Sequence, residues 1–170
     1  MEKILHQAER LEKEYDWLGA AESYKKALDL LSEDDFSRKG DVTERLGYAL
    51  YRSAFQAETN EEFRDKLLQS TVAYEKAIEF YGRLKDSVGI ASTLRFKGTI
   101  ASIRYWLAPD APEKKRLLGE CWEFTKDSLK TLKESGLGND RSIDRSERGS
   151  EVLANNPSEI NVKYLEQFPE

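Results

Sequence analysis

Residues Tyr24, Ala27 and Leu28 return as Tyr74, Ala77 and Ile78 fifty positions later, and Thr125, Ser128 and Leu129 follow fifty-one after those. A unit that recurs at this period cannot bury its apolar face alone, so neighbouring copies must stack. The repetition therefore predicts an all-α chain, a short α-solenoid of about three antiparallel helix hairpins with an extended binding surface. Residues 1–135 form the expected repeat domain, and residues 136–170 form a C-terminal tail with a capping helix.

Composition agrees with one helical domain in 170 residues. Apolar residues make up 39% and aromatic residues 11%, enough for a packed core, while 35% charged residues point to long solvated helix faces. One cysteine, Cys121, and one histidine, His6, allow neither an intrachain disulfide nor a site of several Cys or His ligands. A reducing compartment fits this usage. Acids interrupt the first turns and no apolar stretch approaches the roughly 18 residues a membrane span needs, so the expectation is a cytoplasmic chain without signal peptide or membrane helix. The net charge of -5 is unevenly spread: residues 1–35 hold ten acids and five bases, residues 86–135 seven acids and nine bases. That is far from the basic footprint of a nucleic-acid binder.

Apolar periodicity and start signals place helices near residues 2–14, 18–31, 38–57, 61–82, 87–107 and 113–134. Thr59 and Asp110 each stand as an N-cap with a glutamate three positions on, and Pro112 suits a first turn. The second and third units align at a constant offset of fifty-one, which pairs Gly47 with Gly98, Leu67 with Leu118 and Ser70 with Cys121. The two glycines fall where a crossing helix needs room, and Cys121 reads as a small packing residue. The spacing of Leu11, Tyr15, Trp17, Ala20, Tyr24, Ala27 and Leu28 resembles the tetratricopeptide repeat, with Tyr15 where that family usually has a turn glycine. The resemblance covers roughly residues 5–135. It implies a right-handed stack whose first helices line a concave groove. The family's carboxylate clamp is not reproduced, because Glu9, Tyr48 and Thr99 stand in place of its asparagines.

Enzymatic readings lack material. No nucleophile elbow or phosphate-loop glycine pattern accompanies His6, and Asp34-Asp35 reads as a solvated loop, so neither catalysis, cofactor nor metal is expected. Residues 87–108 contain no acid; Arg95, Lys97 and Arg104 are interleaved with Ser92, Thr93, Thr99 and Ser102. Arg95, Thr99 and Ser102 share a helix face, with Glu44, Tyr48, Tyr51 and Arg52 of the preceding unit as expected neighbours. Such a groove suits a protein or peptide partner of acidic character, held through arginine hydrogen bonds. In the competing reading these bases pair with Glu44, Glu75, Glu79 or Glu120 on adjacent helices. The functional expectation is a non-catalytic protein–protein interaction module that holds a peptide or partner helix. Its alternative is a self-associating scaffold or a regulatory segment of a larger signalling assembly. Ile160, Tyr164, Leu165 and Phe168 recur at helical spacing, so the terminal helix either caps the last hairpin or docks on another chain.

Overall fold

A computed structural model describes residues 1–136, and the expected terminal helix lies outside the described residues. Six helices follow one another: α1 (Glu2–Lys13), α2 (Trp17–Leu28), α3 (Phe36–Ala54), α4 (Asn60–Tyr81), α5 (Ser87–Leu107) and α6 (Ala111–Glu134). No strand occurs among the described residues, and none of these helices is long and apolar enough to cross a membrane.

Side chains set the starts. Asp16, Asp35, Thr59, Asp86 and Asp110 each accept a hydrogen bond from the backbone N–H three residues on, satisfying a donor the helix leaves open. Glu62 completes the cap of α4 by accepting from the Glu58 N–H at 3.1 Å. The Asp35 cap starts α3 at Phe36, two residues before the sequence-based estimate. At the ends, α2 and α3 stop three residues short of expectation. There the N–H groups of Leu30, Leu31, Phe55, Gln56 and Ala57 turn to carbonyls only three residues back, the tighter pattern that closes a helix.

Three residues make the α1–α2 turn. Asp16 N–H reaches the Leu11 carbonyl at 2.9 Å and Tyr15 N–H reaches that of Glu12 at 3.1 Å, the paired bonds of a Schellman ending. Tyr15 occupies the position glycine usually takes, at φ 62°, and so lies outside α1. A side chain there is strained by roughly 1–2 kcal/mol.

Each extensive helix–helix contact among the described residues joins consecutive helices, with the largest interfaces in the α3–α4 and α5–α6 pairs. The core is correspondingly segmented. One cluster gathers Ala8, Trp17, Ala20, Tyr24 and Ala27 against Val42, Leu46 and Leu50; the next gathers Ala54, Leu67, Tyr74 and Tyr81 against Phe96, Ile100 and Ile103. Both repeat glycines mark close approach. A Cβ on Gly47 would stand 3.0 Å from the Tyr74 ring, and one on Gly98 would stand 3.2 Å from the Cys121 carbonyl. Beside Gly47, the buried Ser70 hydroxyl donates to the Gly47 carbonyl at 2.7 Å, which ties α4 directly to the α3 backbone.

Three tyrosines anchor these clusters. Burial pushes the Tyr24 phenol up to about 12, with the Glu12 contact adding to the rise and Arg45 opposing it. Burial likewise raises Tyr74 and Tyr81, the latter helped by its hydrogen bond to Asp41. An unfolded tyrosine ionises near pH 10, so these groups contribute stability in full below about pH 10. Above it the unfolded chain loses protons that the folded chain keeps, and stability falls. The thermal midpoint should accordingly drop steeply above about pH 10, with tyrosinate absorbance from the buried rings appearing only as the helices melt. A midpoint flat through that range would remove these tyrosines from the core.

Candidate functional site

Charged side chains link α1 to α3 and α3 to α5. Arg38 of α3 pairs with Glu2 of α1, Arg45 with Glu9 at 3.2 Å, and Arg95 of α5 pairs with Glu44 of α3 at 2.7 Å. Arg45 also donates to the Tyr24 hydroxyl at 3.3 Å, and that hydroxyl donates to Glu12 at 2.9 Å. Glu44 and Arg95 are themselves fifty-one residues apart, the offset at which the sequence repeats. Each pair is partly exposed and contributes at most about 1 kcal/mol.

The polar residues expected on this face divide into two groups. Glu44 and Arg95 meet each other, and the Arg95 guanidinium lies over the Phe96 ring at 4.7 Å. Thr99 is half-buried and donates to the Arg95 carbonyl at 3.2 Å; Ser102, also half-buried, lies three residues on. Arg104 meets Glu75 at 3.4 Å, and Arg116 meets Glu113 and Glu120. Arg95 and Arg104 of α5 are thus paired with acids of neighbouring helices, as the competing reading has it, while Lys97 and Arg104 stay exposed.

Tyr48, Tyr51 and Arg52 belong to a different feature, near the α1–α2 and α3–α4 turns. Along the last two turns of α3, Tyr48, Tyr51, Arg52 and Phe55 follow at spacings of three and four and so share one face. Tyr48 stands edge-on to Trp17 at 5.6 Å between ring centroids, and Trp17 to Tyr15 at 6.3 Å. Further along, Phe55 touches Tyr51, Phe63 and Trp106 at 5.0, 5.5 and 5.4 Å. The Arg52 guanidinium lies 4.7 Å from the Trp17 ring and 5.9 Å from the Tyr48 ring while donating to the Tyr48 hydroxyl at 3.0 Å. Gln56 fastens the two turns together by donating to the Tyr15 carbonyl at 3.0 Å. The result is a ledge of two ring groups, Tyr15–Trp17–Tyr48 and Tyr51–Phe55–Phe63–Trp106, joined by the Gln56 bond; Tyr15, Tyr48 and Phe55 are exposed. Sequence reasoning placed Tyr48, Tyr51 and Arg52 on a binding face but missed Tyr15, Phe55 and Trp106 there.

Catalytic chemistry finds little here. His6 is exposed on α1, 3.6 Å from Glu9. Cys121 is buried, and burial raises its thiol above the ordinary range, which disfavours the nucleophilic thiolate. Among the described residues no three Cys, His, Asp or Glu side chains are grouped to hold a metal ion. No protein-family model matches the chain, and neither a curated protein nor a solved structure is significantly similar to it.

Proposed function

We propose that this chain is a non-catalytic protein–protein interaction module, a tetratricopeptide-like solenoid of three hairpins that holds a peptide or partner helix along its first helices. The reading rests on the run of side-chain pairs from Glu2–Arg38 through Glu9–Arg45 to Glu44–Arg95. Those long side chains bridge α1 to α3 and α3 to α5, which supports a stacked array. A face built from three helices offers several anchoring points to an extended ligand.

The pair Glu44–Arg95 allows a test that spares the fold. Exchanging the charges, Glu44→Arg with Arg95→Glu, keeps an ion pair between α3 and α5 but inverts the pattern presented to a ligand. Proteins captured quantitatively by the wild-type chain from a cell extract should be lost or reduced roughly tenfold with the exchanged chain, as for charged contacts at an interface. The helical circular dichroism signal should not change. Identical capture by both chains would refute the first-helix face as the binding surface. A mass by light scattering that rises with concentration would instead favour the self-associating scaffold.

A further inference from the structure

We infer that the aromatic ledge at the α1–α2 and α3–α4 turns binds a basic peptide, a segment of another protein whose arginine or lysine side chains lie on its exposed rings. This rests on the reading of the chain as an interaction module and names a surface and a partner chemistry for it. Four observations converge on the ledge.

The first is exposure. Tyr15, Phe55 and Tyr48 are 68%, 48% and 40% accessible, although each adjoins rings that pack into the fold. Large aromatic surface left open beside a firm support is the form that binding platforms take.

The second is strain. Tyr15 holds a left-handed backbone that glycine would hold without penalty. Its ring is mostly in water, so packing recovers little of the cost. The backbone there serves the turn and the Gln56 bond, but the exposed ring serves neither, so the ring is what a ligand would use.

The third is the arginine already present. Arg52 lies over Trp17 and beside Tyr48, with its NH1 on the Tyr48 hydroxyl, the geometry in which a guanidinium is attracted to ring faces. The outward parts of the same rings offer that attraction to a second cation.

The fourth is charge. Residues 14–16 and 55–62, the two turns that carry Tyr15 and Phe55, hold Glu14, Asp16, Glu58, Glu61 and Glu62 and no base. Arg10 and Lys66 offset Glu14 and Glu62. Asp16, Glu58 and Glu61 remain against the one base of the ledge itself, Arg52, so three acids face one cation there. Lys114 stands at the far end, 5.8 Å over Tyr105, so the negative end is that of Tyr15 and Phe55. This sign disfavours the chain's own tail, since residues 137–170 carry seven acids against four bases, and disfavours a second copy of net charge -5.

The test uses the full chain, carrying Trp122→Phe so that the signal comes from Trp17 and Trp106, and two synthetic octapeptides, alternating Arg-Ala and alternating Glu-Ala, followed by tryptophan fluorescence. The Arg-Ala peptide should bind at least about tenfold more tightly than the Glu-Ala peptide, and more weakly as salt is added. Tyr15→Gly should raise the thermal midpoint by relieving strain while weakening Arg-Ala binding several-fold, two opposite changes that a purely structural tyrosine would not give. Glu58→Gln with Glu61→Gln should leave the midpoint in place and also weaken binding several-fold. No preference between the peptides, no binding of either, or Arg-Ala affinity untouched by both sets of variants would overturn the proposal. Arg-Ala binding that survives the ledge variants but is lost in Glu44→Arg with Arg95→Glu would overturn the ledge while leaving the first-helix reading standing.

Discussion

Phe96→Ala should lower the unfolding free energy by about 4 kcal/mol, with a fall of roughly 10–15 °C in thermal midpoint for a chain of this size. Phe96 is 1% exposed, and its ring centroid lies 5.6 Å from that of Tyr74 and 5.5 Å from that of Tyr81. Ala54, Ile100 and Ile103 join the same cluster, which draws on α3, α4 and α5 together. Truncation removes the transfer energy of a whole ring and leaves a cavity whose walls are held from both sides, so collapse can recover little of it. The two tyrosines resist following the gap. Tyr81 donates its hydroxyl to Asp41, and the Tyr74 ring abuts the position beside Gly47 where α3 and α4 touch. A second loss accompanies the first, because the Arg95 guanidinium rests on the Phe96 face before it reaches Glu44. Urea unfolding followed by circular dichroism measures the change. A cost below about 2 kcal/mol would mean that α4 and α5 are not joined through this ring.

The position of Phe96 also shows what a repeat does and does not announce. All six helices were legible, with ends within three residues, because a capping aspartate or threonine stands at the start of five of them and apolar residues recur at helical spacing. The constant offset made the close approach at Gly47 and Gly98 legible too, since only a small residue suits a crossing. The same offset sets Phe96 against Arg45, a buried ring against a half-exposed cation, and local pattern gives no sign of which unit keeps the apolar choice. Tertiary packing decides it: Phe96 meets Tyr74 and Tyr81 of α4, whereas Arg45 meets Tyr24 of α2 and Glu9 of α1.

The candidate site was legible in the same uneven way. That Glu44 meets Arg95 follows from adjacency of equivalent positions in a stack, yet several acids competed for that arginine in one dimension. Phe55 and Trp106 are also fifty-one residues apart, a signal present in the sequence. They escaped notice because each lies at the very end of a first helix, where the apolar rhythm that marks a core has stopped. Tyr15 stood out only as a departure from a glycine; its ring becomes meaningful once Trp17 and Tyr48 are seen beside it.

Glycine to alanine changes should separate the crowded junctions from the open ones by sign. Gly89→Ala should destabilise by about 2–3 kcal/mol, although alanine is the better helix former by about 1 kcal/mol. An alanine Cβ at this position would lie 2.6 Å from the Tyr81 carbonyl oxygen and 3.2 Å from the Leu84 Cβ. A side-chain tip could move aside, but this neighbour is backbone. The Tyr81 carbonyl is fixed by the N–H of Leu84, and its residue is held by a buried ring. Nor is retreat of α5 easy, because the Gly89 N–H is the donor that Asp86 caps at 2.7 Å. Sterics therefore outweigh propensity, and the short α4–α5 connection must deform or the cap must break. Gly119→Ala supplies the contrast: its Cβ would meet nothing within 4 Å on the exposed side of α6, so propensity acts alone and should stabilise by about 1 kcal/mol. Measured by urea midpoint in the same background, the two changes should move in opposite directions. If both stabilised, the α4–α5 junction would have to sit farther apart than a 2.6 Å contact allows, and the close approach of α5 to the end of α4 would be wrong.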